Sequence, residues 1–123
     1  MKKSLGQLEA VVMQRLWDAS EPLSVRTVLE HLRRERAIAY TTVMTVLDNL
    51  HAKDLVRRHK DGRAFVYEAA QSRAAYTSEL LDDVLDSTGD RRAALLHFLG
   101  RLDEDTRAEL RGALGAAEDR AAR

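Results

Sequence analysis

The feature that most constrains the fold is a change of apolar period at Leu55, after three stretches with helical spacing. Before it, apolar residues recur every three or four positions, as in amphipathic helices. After it, two short β-compatible runs, residues 55–59 and 64–68, flank an Asp61-Gly62 pair, a strong signal for a hairpin turn. The sequence therefore predicts three helices followed by a two-stranded β-hairpin.

Caps and breakers separate the three helices. Ser4 and Gln7 have the spacing of a capping box at the start of the first helix, and Pro22 lies beyond its end. Ser24 is placed to cap the second helix, and the third begins in YTTVMTVLDNL at Tyr40. Three helices and a hairpin in this order are typical of a winged helix-turn-helix domain, with helix three in the recognition position and the hairpin as the wing.

The rest of the chain has a helical pattern with stops at Gly89 and Gly100. Its narrow apolar stripes are too small to close a core alone, so we expect a second copy to cover them, since C2 homodimers are the commonest soluble oligomers. The predicted fold is mainly α with a small β-hairpin: a winged-helix DNA-binding domain, residues 1–70, and a helical dimerisation domain, residues 71–123. The expected interface residues are Tyr76, Leu80, Leu81, Val84, Leu95, Phe98, Leu99, Leu110 and Leu114.

Short hydroxyl side chains line the predicted exposed side of helix three. Thr41, Thr42 and Thr45 can hydrogen-bond base edges or phosphates, although threonines that only cap a helix and face solvent are the plainer interpretation. Asp48 on the same side would repel phosphate, so we expect it to lie near the groove exit or to make no DNA contact. The densest basic cluster, on the hairpin, can reach a phosphate or a minor groove; it comprises Arg57, Arg58, His59, Lys60 and Arg63.

Composition excludes several classes of function. The chain has no Cys, which excludes disulfides and thiolate metal ligands, and its longest uncharged run, residues 37–47, is far shorter than the ~20 residues of a membrane-spanning helix. No two of the four histidines are spaced as i and i+4, and the chain lacks the Gly-rich loop that would indicate a nucleotide-binding site. We therefore expect a cytoplasmic protein that is not an enzyme and that has no metal or cofactor.

Charge is divided unevenly along the chain. Residues 1–70 hold 12 Lys and Arg against 9 Asp and Glu, a balance of +3, whereas residues 71–123 hold 8 against 11, a balance of −3. The difference weakly favours an anionic partner for the first part.

Three blocks carry a more specific signal: LGQLEAVVMQRLW, SVRTVLEHL and AYTTVMTVLDNLHAKDLVRR. In residues and in spacing they resemble the penicillinase-repressor (BlaI/MecI) family, most strongly over residues 5–68, and AALLHFLGRLDEDTRAELRGAL is similar to the family's dimerisation segment. The resemblance implies a homodimeric winged-helix repressor that binds an inverted-repeat operator and silences a β-lactam resistance or cell-envelope gene. It places the recognition-helix contacts at Thr41, Thr42, Met44 and Thr45.

The family resemblance also implies how repression is relieved. Members are inactivated when a membrane sensor-protease pathway cleaves the dimerisation region, commonly at an Asn-Phe bond, and the matching bond here joins His97 to Phe98. A buried core aromatic is the structural alternative for Phe98. Two other functions stay open: a winged-helix protein-interaction module, and a repressor that senses a small ligand and is not controlled by proteolysis. The sequence specifies neither the operator, nor the regulated gene, nor the inducing signal.

Overall fold

The computed structural model describes residues 5–122, and its first three helices enclose the core that the apolar spacing predicts. Helix α1 spans Gln7–Asp18, α2 spans Val25–Arg33 and α3 spans Tyr40–Ala52. Each turns a stripe of aliphatic side chains inward, because residues three and four apart share a helix face. The fully enclosed side chains include those of Val12, Val28, Leu32, Val43, Leu47 and Leu50.

The cap predicted for α2 is confirmed. Ser24 Oγ accepts a hydrogen bond from the Thr27 N–H at 3.1 Å, which satisfies one of the free donors at the helix start. Ser4, predicted to cap α1, lies outside the described residues. Gly6 stands at the N-cap position of α1, and its N–H donates to Glu9 Oε1 at 2.9 Å.

The predicted hairpin is present, and its first strand runs closer to the tip than the sequence suggested, while its second strand begins at Ala64 as predicted. Strand β2 spans Val56–Asp61 and β3 spans Ala64–Ala69, with Asp61 opposite Ala64. The turn therefore consists of Gly62 and Arg63, with Gly62 at a φ of +69°. A glycine with positive φ at the first turn position is typical of a type II′ turn, whose twist suits a hairpin.

A third strand, which the sequence analysis missed, completes the sheet. Strand β1, Leu23–Ser24, pairs antiparallel with β3, so the strand order is β1-β3-β2. Two residues are too few to show an alternating pattern. The strand forms because the edge of β3 is available to it, which only the tertiary arrangement provides.

Three helices follow, as predicted: α4 spans Arg73–Ser87, α5 spans Arg91–Leu99 and α6 spans Glu104–Ala121. Gly89, at a φ of +81°, lies between α4 and α5, where a left-handed residue commonly terminates a helix. Asp103 caps α6, its Oδ1 accepting from the Thr106 N–H at 2.8 Å. Within the described chain, α5 and α6 bury no residue.

Contacts divide the chain into two compact units, Met1–Leu81 and Asp82–Arg123, whereas the predicted domains meet at residue 70. The difference arises in the first turns of α4. Tyr76 is only 4% exposed and its ring lies 5.7 Å from that of Trp17, while Leu80 packs partly buried against the same core. The start of α4 therefore completes the first unit, and Tyr76 has little surface left for the dimer contact predicted for it.

Candidate nucleic-acid interface

The exposed side of α3 carries a ridge of short side chains. Its buried side consists of Val43, Val46, Leu47 and Leu50, so the remaining positions face outward. The exposed positions are Tyr40, Thr41, Thr42, Met44, Thr45, Asp48, Asn49 and Ala52. All four contacts predicted on α3 are therefore accessible, and a helix with such a slim polar surface fits a DNA major groove.

The threonine hydroxyls are not equivalent. Thr45 Oγ1 donates to the Thr41 carbonyl oxygen at 3.0 Å, so its proton is used within the helix. Its oxygen can still accept a hydrogen bond from a base, and its methyl group can contact thymine. The hydroxyls of Thr41 and Thr42 make no hydrogen bond to the other described residues, so both can donate and accept.

Strand alternation divides the basic cluster of the wing. Arg58 and Lys60 share one face of β2, and both lie over the Phe65 ring, with Arg58 Cζ 4.5 Å and Lys60 Nζ 5.9 Å from its centroid. Arg57 lies on the opposite face and pairs with Glu68 at 3.5 Å. His59, on the same face as Arg57, borders a hollow with Glu21, Pro22 and Val66. Four of the five residues predicted as one cluster therefore form two pairs that point to different sides of the wing, and the fifth, Arg63, lies in the turn.

A surface hollow of about 460 Å³ lies where the wing meets the start of α3. Arg26, from the first turn of α2, and Arg63, from the wing turn, supply its cations. Tyr40, Met44 and Phe65 supply much of its apolar lining. The hollow thus brings two cationic side chains beside the face of α3 that a DNA groove would cover.

Three residues of this surface were not among the predicted contacts: Arg26, Tyr40 and Asn49. Asn49 follows Thr45 by four residues, so helical spacing alone places it on the exposed side. Its amide can bond the N6 and N7 edge of adenine, and it makes no hydrogen bond to the other described side chains. Arg26 and Tyr40 gave no such signal, because only the packing of α2 and β3 around α3 brings them together.

The turn between α2 and α3 is held by Arg33, whose Nε donates to the Ile38 carbonyl oxygen at 3.2 Å. This bond stabilises the turn and uses one of the five N–H donors of the exposed guanidinium. Arg34 and Arg36 are exposed beside it.

The far end of α3 is fastened to α1 through an ion pair. Lys53 Nζ lies 2.8 Å from Oε1 and 2.9 Å from Oε2 of Glu9, and both side chains are largely buried. Burial alone would raise the pKa of Glu9, but the hydrogen bonds from Lys53 and the Gly6 N–H, with the Lys53 charge, hold that pKa below its ordinary value. The pair fixes the C-terminal end of α3 against α1.

Helices α4 to α6 present apolar side chains without an intrachain cover. Among the residues predicted to form a dimer, those exposed are Leu81, Val84, Leu95, Phe98, Leu110 and Leu114. Leu99 of α5 and Leu110 and Leu114 of α6 line one small apolar hollow. Both His97 and Phe98 are exposed on α5, so Phe98 is not a core aromatic within a single chain.

Two other kinds of site are absent from residues 5–122. No group of three or more His, Asp or Glu side chains is close enough to hold a metal ion. None of the helices in this range combines the length and the apolar character that a membrane crossing requires.

Comparisons with known proteins agree with this geometry. The family model described as penicillinase repressor matches residues 5–116. Two proteins named transcriptional regulator BlaI, from two strains of Mycobacterium tuberculosis, are each 44% identical over 117 residues, covering 93% of this chain and 85% of theirs.

Solved structures match over part of the chain. A solution structure of the DNA-binding domain of the repressor BlaI has a TM-score of 0.53 and 29% identity, covering 60% of this chain and 92% of its own. A solution structure of the monomeric form of BlaI from Bacillus licheniformis with the blaP half-operator has a TM-score of 0.51 and 26% identity, covering 60% and 89%. The predicted family and the predicted winged-helix fold are therefore confirmed.

Proposed function

The chain belongs to the penicillinase repressor family, and from this premise we propose that it is a homodimeric transcriptional repressor that binds an inverted-repeat operator. The observation that carries the proposal is the threonine ridge of α3 lying beside a cationic wing in one unit. A repressor needs both, because base edges give sequence preference and phosphate contacts give affinity.

Base reading is assigned to α3. Thr42 and Thr45 are the principal contacts: the first can donate or accept a hydrogen bond, and the second can accept one or place its methyl group against thymine. Met44 reads by apolar contact only. Asn49 extends the ridge by one turn and suits adenine.

Phosphate contacts are assigned to cations at the edge of the ridge. Lys60 and Arg63 of the wing and Arg26 of α2 are exposed on this side of the unit. Helix α3 begins at Tyr40 after Ala39, which offers no side-chain cap, so its first N–H groups can also point toward phosphate. Arg57 and His59 lie on the other face of β2, so they contact DNA only if the DNA backbone passes around the tip of the wing.

The second unit is assigned to dimerisation, and the exposed apolar side chains of α4 to α6 support this. A second copy would cover them, and a two-fold dimer matches an inverted repeat. The relative from Bacillus licheniformis is described as a monomeric form with a half-operator. This supports one copy on each half-site.

Relief by proteolysis is assigned to the bond between His97 and Phe98, through a membrane sensor-protease pathway. Proteases require an extended segment, and α5 buries no residue, so opening it locally breaks few contacts. The regulated gene would serve β-lactam resistance or cell-envelope stress, as the family implies.

The test is a mobility-shift titration with duplexes from the DNA upstream of the chain's own operon and with a scrambled duplex of equal length. We expect preferential binding of one upstream duplex, with affinity that falls steeply between about 50 and 200 mM salt. Thr45→Ala should lower the preference by on the order of 1 kcal/mol, while Lys60→Ala should weaken both duplexes alike.

Affinity that ignores ionic strength, or no binding of any upstream duplex, would reject the proposal. The second result would favour the protein-interaction module. An inducer that releases the operator without cleaving the chain would instead favour the ligand-sensing repressor.

A further inference from the structure

One cation of the wing does not face solvent freely. Arg58 Nη1 lies 3.3 Å from Asp48 Oδ1, so an arginine of β2 is paired with an acid on the ridge of α3. The same guanidinium lies over the Phe65 ring, and its side chain is only 30% exposed. Arg58 is thus held by two elements at once.

Asp48 is otherwise out of place on a DNA-binding ridge. It is exposed in line with Thr41 and Thr45, where a carboxylate repels the phosphate of any sequence. The pairing with Arg58 explains why an acid is present there. Arg58 and Lys60 both lie over the Phe65 ring, so their positive charges repel each other. A carboxylate beside Arg58 offsets that repulsion and keeps the guanidinium against Phe65.

A freed arginine at this place would have a general effect on DNA affinity. Arginine binds phosphate oxygens in any sequence, and each phosphate neutralised steepens the plot of log affinity against log salt by about 0.9. Such a contact raises affinity for operator and random DNA alike. Specificity is the ratio of the affinity for the operator to the affinity for random DNA. Because random sites are in great excess, tighter binding to them draws the repressor away from its operator and weakens repression.

We propose that Asp48 is a specificity-determining residue that acts through Arg58: it holds Arg58 as a positioning residue between the wing and α3, and withholds that cation from phosphate. The inference rests on the proposed function, which it deepens. It reverses the expectation that Arg58 is itself a phosphate contact.

The test compares the full-length chain with Asp48→Asn, Arg58→Ala and the double variant, each titrated with the preferred upstream duplex and its scrambled control over a range of salt. For Asp48→Asn we expect tighter binding to the scrambled duplex and a smaller ratio between the affinities for the two duplexes. The plot of log affinity against log salt should be steeper by about 0.9, the contribution of one further phosphate contact. Arg58→Ala should leave the slope unchanged. In the double variant the effect of Asp48→Asn should disappear.

Asp18→Asn is the matched control. Asp18 pairs with Arg73 at 2.8 Å, and Arg73 likewise lies over an aromatic ring, that of Trp17, but on α1 and α4 rather than on the ridge. The control changes net charge equally and takes a carboxylate away from an arginine elsewhere, which Gln14 Oε1 also binds at 2.6 Å, so we expect no change of slope. Circular dichroism and Trp17 fluorescence verify that every variant folds.

Three outcomes would overturn the inference. An unchanged slope in Asp48→Asn would mean that Arg58 does not reach phosphate when released. An effect that persists in the double variant would mean that Asp48 acts by its own charge alone. A shallower slope in Arg58→Ala would mean that Arg58 already contacts phosphate. Failure of the unaltered chain to bind DNA would instead reject the proposed function.

Discussion

At the scale of single residues, the described structure is governed by pairings between elements far apart in sequence. Lys53 Nζ binds both carboxylate oxygens of Glu9, 44 positions away, and Glu9 also accepts from the Gly6 N–H. With both side chains largely enclosed, the carboxylate is stabilised in its charged form. The ionisation of one residue therefore contributes to the fixing of α3 on α1, in addition to the apolar core that the two helices share.

This pairing makes stability depend on pH with a defined sign. The pKa of Glu9 is lower in the folded chain than its ordinary value of 4.5, so the stabilisation is present above that pH and is lost as pH falls through the folded pKa. Glu9→Gln should lower the free energy of unfolding by about 1 to 2 kcal/mol at neutral pH, and by progressively less in acid. Urea titrations followed by Trp17 fluorescence measure the difference.

Glu30→Gln provides the control, because Glu30 is exposed on α2 and pairs with no other described residue. Its effect should be near zero at every pH. A Glu9→Gln deficit that stays constant from neutral pH to below the pKa of Glu9 would show that packing, and not charge, is responsible.

Whether the environment of a residue could be predicted depends on how far apart in sequence its contacts lie. The accessibility of Thr41, Thr42 and Thr45 followed from helical spacing and is confirmed. The pairing of Arg58 with Asp48 could not be foreseen, because it joins a strand to a helix across a tertiary contact. The alternation of Arg57 and Arg58 was available from strand geometry but was not used.

At the scale of elements, turn chemistry decides where the wing ends. Gly62 has a φ of +69°, and no atom lies within 4 Å of the point that a Cβ would occupy, so a side chain there meets backbone strain rather than a clash. Lys60 lies near the end of β2, just before this turn, and Arg63 is the second residue of the turn. The position of two proposed phosphate contacts therefore depends on one glycine.

Gly62→Ala should lower the free energy of unfolding of the first unit by about 1 kcal/mol, because an L residue at positive φ is strained. Gly62→Asn should cost less, since asparagine tolerates this region. Gly112→Ala is the control: it adds the same methyl group in open space within α6 and should not destabilise the chain. Equal losses for Gly62→Ala and Gly62→Asn in Trp17-monitored unfolding would contradict the argument.

Elements with their own periodicity were predictable, and those without it were not. All six helices and both hairpin strands were indicated by spacing, caps and the Asp61-Gly62 pair. Strand β1 was missed because Leu23–Ser24 is extended only through pairing with β3. The end of the first hairpin strand near the turn also differed, because register and not composition makes Asp61 pair with Ala64.

At the scale of the whole molecule, the two units differ in how completely they cover their apolar residues. The first unit has a closed core to which Tyr76 and Leu80 contribute, a contribution that the sequence boundary at residue 70 did not anticipate. The second unit leaves Val84, Phe98 and Leu114 more than half exposed. Apolar surface of this kind marks an interaction site, and the proposed dimer assigns it to a second copy.

Leu114→Glu should therefore separate the copies without unfolding either one. Leu114 is 61% exposed, so the change removes little packing within a chain, whereas a carboxylate buried between two chains is costly. We expect the dimer dissociation constant, measured by analytical ultracentrifugation, to rise roughly 10- to 100-fold. Binding to a full inverted repeat should weaken, while binding to a single half-site should not.

Ala116→Glu is the matched control, since it adds the same charge to α6 about half a turn away from Leu114, on the far side from Leu110. It should leave the dissociation constant unchanged. If both substitutions disrupt the dimer equally, net charge and not a defined face holds the copies together. If neither disrupts it, the apolar side of α6 is not the interface, and the exposed residues of α4 and α5 must provide it alone, because two-fold pairing requires a face that is complementary to itself.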